Sequence, residues 1–149
     1  MRYHKITAVI ASLTWLQVAV AQPTSEQMLG TWYAIDYAAN NETTKMLVKR
    51  MEDQTYQSIS VTCNGTQLAW LEKETGTWKL NQHSLIHTPE TYQDYNGPKQ
   101  LGPNPTIIYT DVSMDKQALS YKNDRQTLLS FKPVDEFFNL GCRKMRTIN

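Results

Sequence analysis

From residue 30 onward the chain is cut into short β-prone runs by turn residues every 8–12 positions, and no stretch shows the spacing of a three-turn amphipathic helix. The runs are 30–38, 45–51, 55–63, 67–73, 76–80, 84–88, 106–114, 118–122 and 127–132. Glu52-Asp53-Gln54 and Asn81-Gln82-His83 are hairpin-sized connections. Asn64-Gly65 is the strongest two-residue turn signal, expected as a type I′ turn with both residues at positive φ. Segment 89–105 holds four prolines and two glycines without periodicity and is expected as a long loop. Residues 134–140 are expected to form one short helical turn. Eight or nine antiparallel strands in sequence order leave two open edges unless they close on themselves. The pattern therefore predicts an all-β, eight-stranded, up-and-down antiparallel barrel, with a two-sheet sandwich as the alternative.

The first 21 residues read differently. Arg2, His4 and Lys5 make a basic start, residues 6–20 are apolar, and Ala19-Val20-Ala21 is a small-x-small cleavage pattern. This predicts a cleaved signal peptide over 1–21 and one domain over 22–149, the alternative being a single membrane anchor. The apolar run is shorter than the ~20 residues a bilayer core requires, and no later segment is long and apolar enough to span as a helix. The expected location is secreted and extracellular, or periplasmic in a bacterium. Of 15 Lys+Arg against 14 Asp+Glu, the leader removes Arg2 and Lys5, leaving 13 against 14. A charge near zero gives no reason to expect nucleic acid or anionic membrane as a partner. A composition of 40% hydrophobic and 19% charged residues excludes collagen-like and strongly charged disordered chains.

Cys63 and Cys142 are the two cysteines. In an oxidising compartment one intramolecular pairing is open to them; separate thiols or an intermolecular bridge remain as alternatives. Asn41-Glu42-Thr43 and Asn64-Gly65-Thr66 fit the glycosylation sequon and mark exposed turns.

Gly30-Thr31-Trp32 opens the first run, and Gly76-Thr77-Trp78 echoes it. The first resembles the Gly-x-Trp signature of the lipocalins. Thr110-Asp111, between Ile107-Ile108-Tyr109 and Ala118-Leu119-Ser120-Tyr121, is similar to their second signature, with Val112 in place of a tyrosine. The third, an arginine packed over the first tryptophan, has Lys132 as its nearest counterpart. The resemblance implies a hollow barrel, a disulfide tying a middle strand (Cys63) to the C-terminal segment (Cys142), and a small, mostly apolar ligand such as a retinoid, fatty acid, pigment, steroid or amine.

Catalytic patterns are absent: there is no G-x-S-x-G, no P-loop, no G-x-G-x-x-G and no H-E-x-x-H. No enzyme activity, cofactor or metal site is expected. His83 and His87, four apart, would lie about 13 Å apart on a strand, too far to share a metal. Glu72 with Glu74 is read as a solvated acidic pair in a turn. The ligand-binding candidates are Ala34 and Asp36 on the Trp32 face, Leu68 and Trp70 sharing a face of the next strand pair, Tyr109, and Tyr92 and Tyr95 in the 89–105 segment, expected to act as a lid. The expected function is that of an exported, monomeric carrier or sequestering protein. The competing expectation is a protein-binding or inhibitory module with a packed barrel, recognising its partner through 89–105.

Overall fold

The computed structural model describes residues 22–38, 41–82, 84–135 and 140–142. The expected leader, His83 and residues 136–139 of the expected helical turn lie outside the described residues. Nine strands follow one another: β1 Gly30–Tyr37, β2 Glu42–Arg50, β3 Thr55–Asn64, β4 Gln67–Asn81, β5 Ser84–Asp94, β6 Gly97–Lys99, β7 Ile107–Asp115, β8 Ala118–Lys122 and β9 Leu128–Pro133. The order β1-β2-β3-β4-β5-β7-β8-β9 returns to β1 through Trp32↔Pro133, Tyr33↔Lys132 and Ala34↔Phe131, so eight antiparallel strands close into a barrel. Closure leaves no unpaired edge along these eight strands. β6 pairs with the far end of β5 alone and forms a short flap.

Three local expectations are corrected. The runs 67–73 and 76–80 are one strand, β4, with no turn at Glu74-Thr75. Residues 89–94 are not loop; they complete β5, and Pro98 sits in edge strand β6, where a missing N–H is tolerated. The Asn64↔Gln67 pair encloses Gly65-Thr66, and Gly65 carries the positive φ of +60°, while Asn64 does not. Glycine at the first central position is the II′ arrangement, not I′.

β4 and β5 stay paired because their shared bulge falls at Gly76, opposite Pro89. A Cβ on Gly76 would lie 2.2 Å from the Thr88 carbonyl oxygen and 2.9 Å from the Pro89 Cα. Both are backbone atoms, so no side chain can swing aside. Gly76→Ala is expected to lower stability by roughly 3 kcal/mol, at the upper end of overpacking effects. Denaturant titration of the two proteins checks this; a difference under about 0.5 kcal/mol, the scatter of ordinary surface changes, would contradict the close approach.

One end of the barrel is a packed floor. A 3-10 turn, Glu26–Met28, leads into Gly30 at φ +95°, and the Trp32 indole Nε1 donates to the carbonyls of Met28 at 3.0 Å and Leu29 at 3.2 Å. The glycine supplies a backbone angle that a side chain disfavours, and the indole locks the lead-in beneath the strands. Trp78, from the echo of that motif, is buried at the same end and points its Nε1 at the Met51 carbonyl, 3.4 Å away. Met28, Leu119, Tyr121 and Phe131 fill the space between.

Lys132 does not cover Trp32. It pairs with Tyr33, one residue off the inward face of Ala34 and Phe131, and is exposed. The buried cation is Arg50, whose guanidinium carbon lies 5.8 Å from the Tyr121 ring centre. Thr110-Asp111 marks a bulge: register shifts between Thr110 and Ser113, Asp111 takes φ +53°, and its carboxylate meets Lys122 at 2.7 Å. Val112 is thereby turned into the core.

Cys63 and Cys142 form a disulfide with Cα atoms 5.5 Å apart. Beside it the Lys45 ammonium donates to the Gly141 carbonyl at 2.6 Å, fastening residues 140–142 to the outer face of β2 and β3. Asn41 and Asn64 are both exposed. Among the described residues no helix is long and apolar enough to cross a membrane.

Candidate functional site in the barrel lumen

Facing partners in antiparallel strands point their side chains to the same side, so the register fixes which residues look inward. Starting from buried Trp32, one row runs Trp32, Val48, Ser58, Glu74, Tyr92 across β1 to β5. The next row towards the open rim runs Ala34, Met46, Ser60, Glu72, Asp94. A third, at the rim, holds Asp36, Thr44, Thr62 and Trp70. β5 and β7 add His87 opposite Ile107 and Leu85 opposite Tyr109.

Above the floor these rows enclose a cavity of about 220 Å³. Met46, Val48, Ile107, Leu129 and Phe131 give it an apolar side. Ser58, Ser60, Glu72, Glu74, His87 and Tyr92 give it a polar one, with Tyr109 and Tyr121 between. The centre of the barrel is therefore not solid. A larger depression of about 480 Å³ opens at the floor end beside Glu26, Leu29, Gln54 and Trp78, and one of about 610 Å³ lies beside Leu68 and Cys142. We take the smaller, strand-enclosed space as the site because burial and convergent polar groups, not volume, distinguish a binding site.

The polar side is held by neutral donors. The Tyr56 hydroxyl donates to Glu74 Oε1 at 2.5 Å. Glu72 Oε1 accepts from the Trp70 indole at 2.9 Å and from the Tyr92 hydroxyl at 3.0 Å. Burial pushes the Glu74 carboxyl above its ordinary range; the Tyr56 hydrogen bond pulls the other way, and the charge of Glu72 adds to the rise. Burial together with the bond to Glu72 pushes the Tyr92 phenol up to about 12.

His87 sits lower, 2% exposed, stacked on Tyr56 at 4.1 Å between ring centres and edge-on to Tyr109 at 5.1 Å. Burial, with Arg50 as a second cause, pushes its pKa down to about 3, so the ring is neutral at physiological pH. Its Nε2 has no hydrogen-bond partner among the described residues. Arg50, 1% exposed, donates through Nη2 to the Tyr121 hydroxyl at 3.3 Å, while Nε and Nη1 have no acceptor among the described residues. Two carboxylates therefore stand towards the rim, and a buried guanidinium is bonded to Tyr121 in the cavity lining.

The sequence candidates separate in space. Tyr92 and Tyr109 line the cavity. Trp70 stands at the rim, with exposed Tyr95 stacked on it at 6.2 Å. Asp36 shares that rim row and is exposed. Ala34 is buried in the core and does not line the cavity. Leu68 does not share a face with Trp70: the bulge opposite Thr62 and Cys63 pairs it with outward-facing Cys63, in the outer groove.

Glu72, Glu74 and His87 are the lumen residues that sequence reasoning set aside. The signal was present in the alternation Trp70-Glu72-Glu74-Gly76-Trp78, which puts all five on one face once the run is a single strand. Among the described residues no group of three or more His, Cys, Asp or Glu side chains could hold a metal ion. No protein-family model matches the chain, and no curated protein matches it as a relative.

Proposed function

We propose that this protein is an exported carrier or sequestering protein that buries a small molecule in its barrel lumen, as the resemblance of its opening signature to the lipocalins suggests. The observation that carries this reading is the cavity of about 220 Å³ between a packed floor and an aromatic rim. Export is supported by the leader-like first 21 residues and by the disulfide, a bond at home in oxidising compartments. In this reading the lumen binds its guest and does not turn it over.

The size of the space narrows the guest. Drug-sized ligands occupy roughly 300–1,000 Å³, above what this lumen offers. At about 30 Å³ for each water-sized volume, and closer packing for bonded atoms, it holds on the order of a dozen non-hydrogen atoms. Long retinoid, steroid and fatty-acid chains are disfavoured among the ligands the family resemblance suggests. Apolar contact at about 25 cal/mol per Å² buried supplies affinity, and the polar wall fixes orientation.

Solvent extraction of the natively purified protein is expected to release one small compound near stoichiometric amount. Ser60→Phe, which places a ring inside the cavity, should return an empty extract from a protein that still melts cooperatively. Equal recovery from both proteins would place the compound elsewhere. An empty wild-type extract, with no tryptophan fluorescence response to one- and two-ring compounds, would defeat the proposal.

A further inference from the structure

We propose that the guest is an organic cation, an ammonium carried on a single aromatic ring system, with its nitrogen seated against Glu72 and Glu74. This rests on the lumen being the ligand site.

Both carboxylates line one space of about 220 Å³ within the barrel. Their hydrogen-bond donors, Trp70, Tyr92 and Tyr56, are all uncharged, and each bond lands on an Oε1. Among the described residues neither forms an ion pair, whereas the adjacent Asp94 is matched by Lys99 at 3.4 Å. The charge of Glu72 opposes ionisation of Glu74. A cation between them relieves that opposition and takes up the lone pairs left free.

A second observation comes from lower in the same cavity. His87, 2% exposed, is among the residues lining the space, and its buried Nε2 has no hydrogen-bond partner among the described residues. A neutral imidazole nitrogen accepts or donates according to its tautomer, so it suits a ring N–H or hydroxyl at the far end of a guest. Between the two stations stand Tyr92, Tyr109, Tyr121 and Phe131, faces suited to an aromatic ring and to an ammonium above it.

Alternative charges fit worse. An inorganic cation lacks the third ligand it would need among the described residues. A carboxylate guest would meet two like charges, because Glu72 and Glu74 are among the residues lining the cavity and Arg50 is not. The volume admits one ring system with a short arm and little more.

Tryptamine and tryptophol test this directly, since they share a skeleton and differ by an ammonium in place of a hydroxyl. Calorimetry on the full mature chain at pH 7.4 should show tryptamine binding at least tenfold tighter. Glu72→Gln and Glu74→Gln keep the Oε1 acceptor for their Trp, Tyr92 and Tyr56 donors, so the barrel is expected to fold. Each should reduce the preference, and the double variant should abolish it. Equal affinities in the wild type, or a preference that survives the double variant, would overturn the cation assignment while leaving lumen binding standing. Binding of neither compound, with an empty native extract, would overturn both.

Discussion

Breaking the Cys63–Cys142 bond, by reduction or by replacing both cysteines with serine, is expected to lower the unfolding free energy by about 4 kcal/mol. The bond closes a loop with a sequence separation of 79 residues, and the chain-entropy relation gives roughly that value for such a loop. The bond lies on the outward face of β3, away from the lumen, where Cys63 is buried. Residues 140–142 would keep only noncovalent hold on β2 and β3, chiefly the Lys45 bond to the Gly141 carbonyl. Guanidinium titrations with and without reductant measure the change. A loss below about 1 kcal/mol would mean that the unfolded chain is already restricted without the link. Ligand retention by the reduced protein, below its new midpoint, should match that of the oxidised protein.

Acid is expected to destabilise the protein through His87, from about pH 6.5 downward. The unfolded imidazole takes a proton near 6.5 and the folded one only near 3. Between those values the unfolded state binds more protons, so stability is present above pH 6.5 and is lost as pH falls. The slope approaches 1.4 kcal/mol per pH unit. Glu74 works in the opposite sense: its raised folded pKa adds stability below the ordinary 4.5, which is lost as pH rises through the folded value. It offsets part of the loss at the acid end of the window. His87→Phe keeps a ring on Tyr56 and removes the titration. Its stability should change little at pH 7.5 and should fall more slowly than wild type between pH 6.5 and 5. Parallel curves for the two proteins would remove His87 as the cause.

The barrel was legible because its determinants are local. Alternating side chains and turn residues set strand existence, Gly30 and Trp32 set the floor, and eight strands in order leave closure as the simplest way to remove edges. The lumen was less legible because its determinants are not local. Glu72 and Glu74 read as a solvated pair since isolated acids avoid interiors, and the phenols and indole that receive them come from residues 56, 70 and 92. Pro89 hid the second half of β5, because a proline normally ends a strand and is tolerated here by a bulge. A bulge likewise turned Leu68 outward, one residue being enough to exchange the faces of a strand.

The indole-locked lead-in at Trp32 has a kinetic consequence. With Met28 and Leu29 tied beneath the strands, the floor end is plugged, and on the proposed reading a guest would enter and leave by the opposite aperture. Water displaced by an arriving guest has that one exit too, so loading is an exchange of molecules in opposite directions through a single gate. On the proposed reading the Trp70 and Tyr95 pair at that aperture would set how long a guest stays, and substitution of Tyr95 should alter the arrival and departure rates together while leaving their ratio nearly constant.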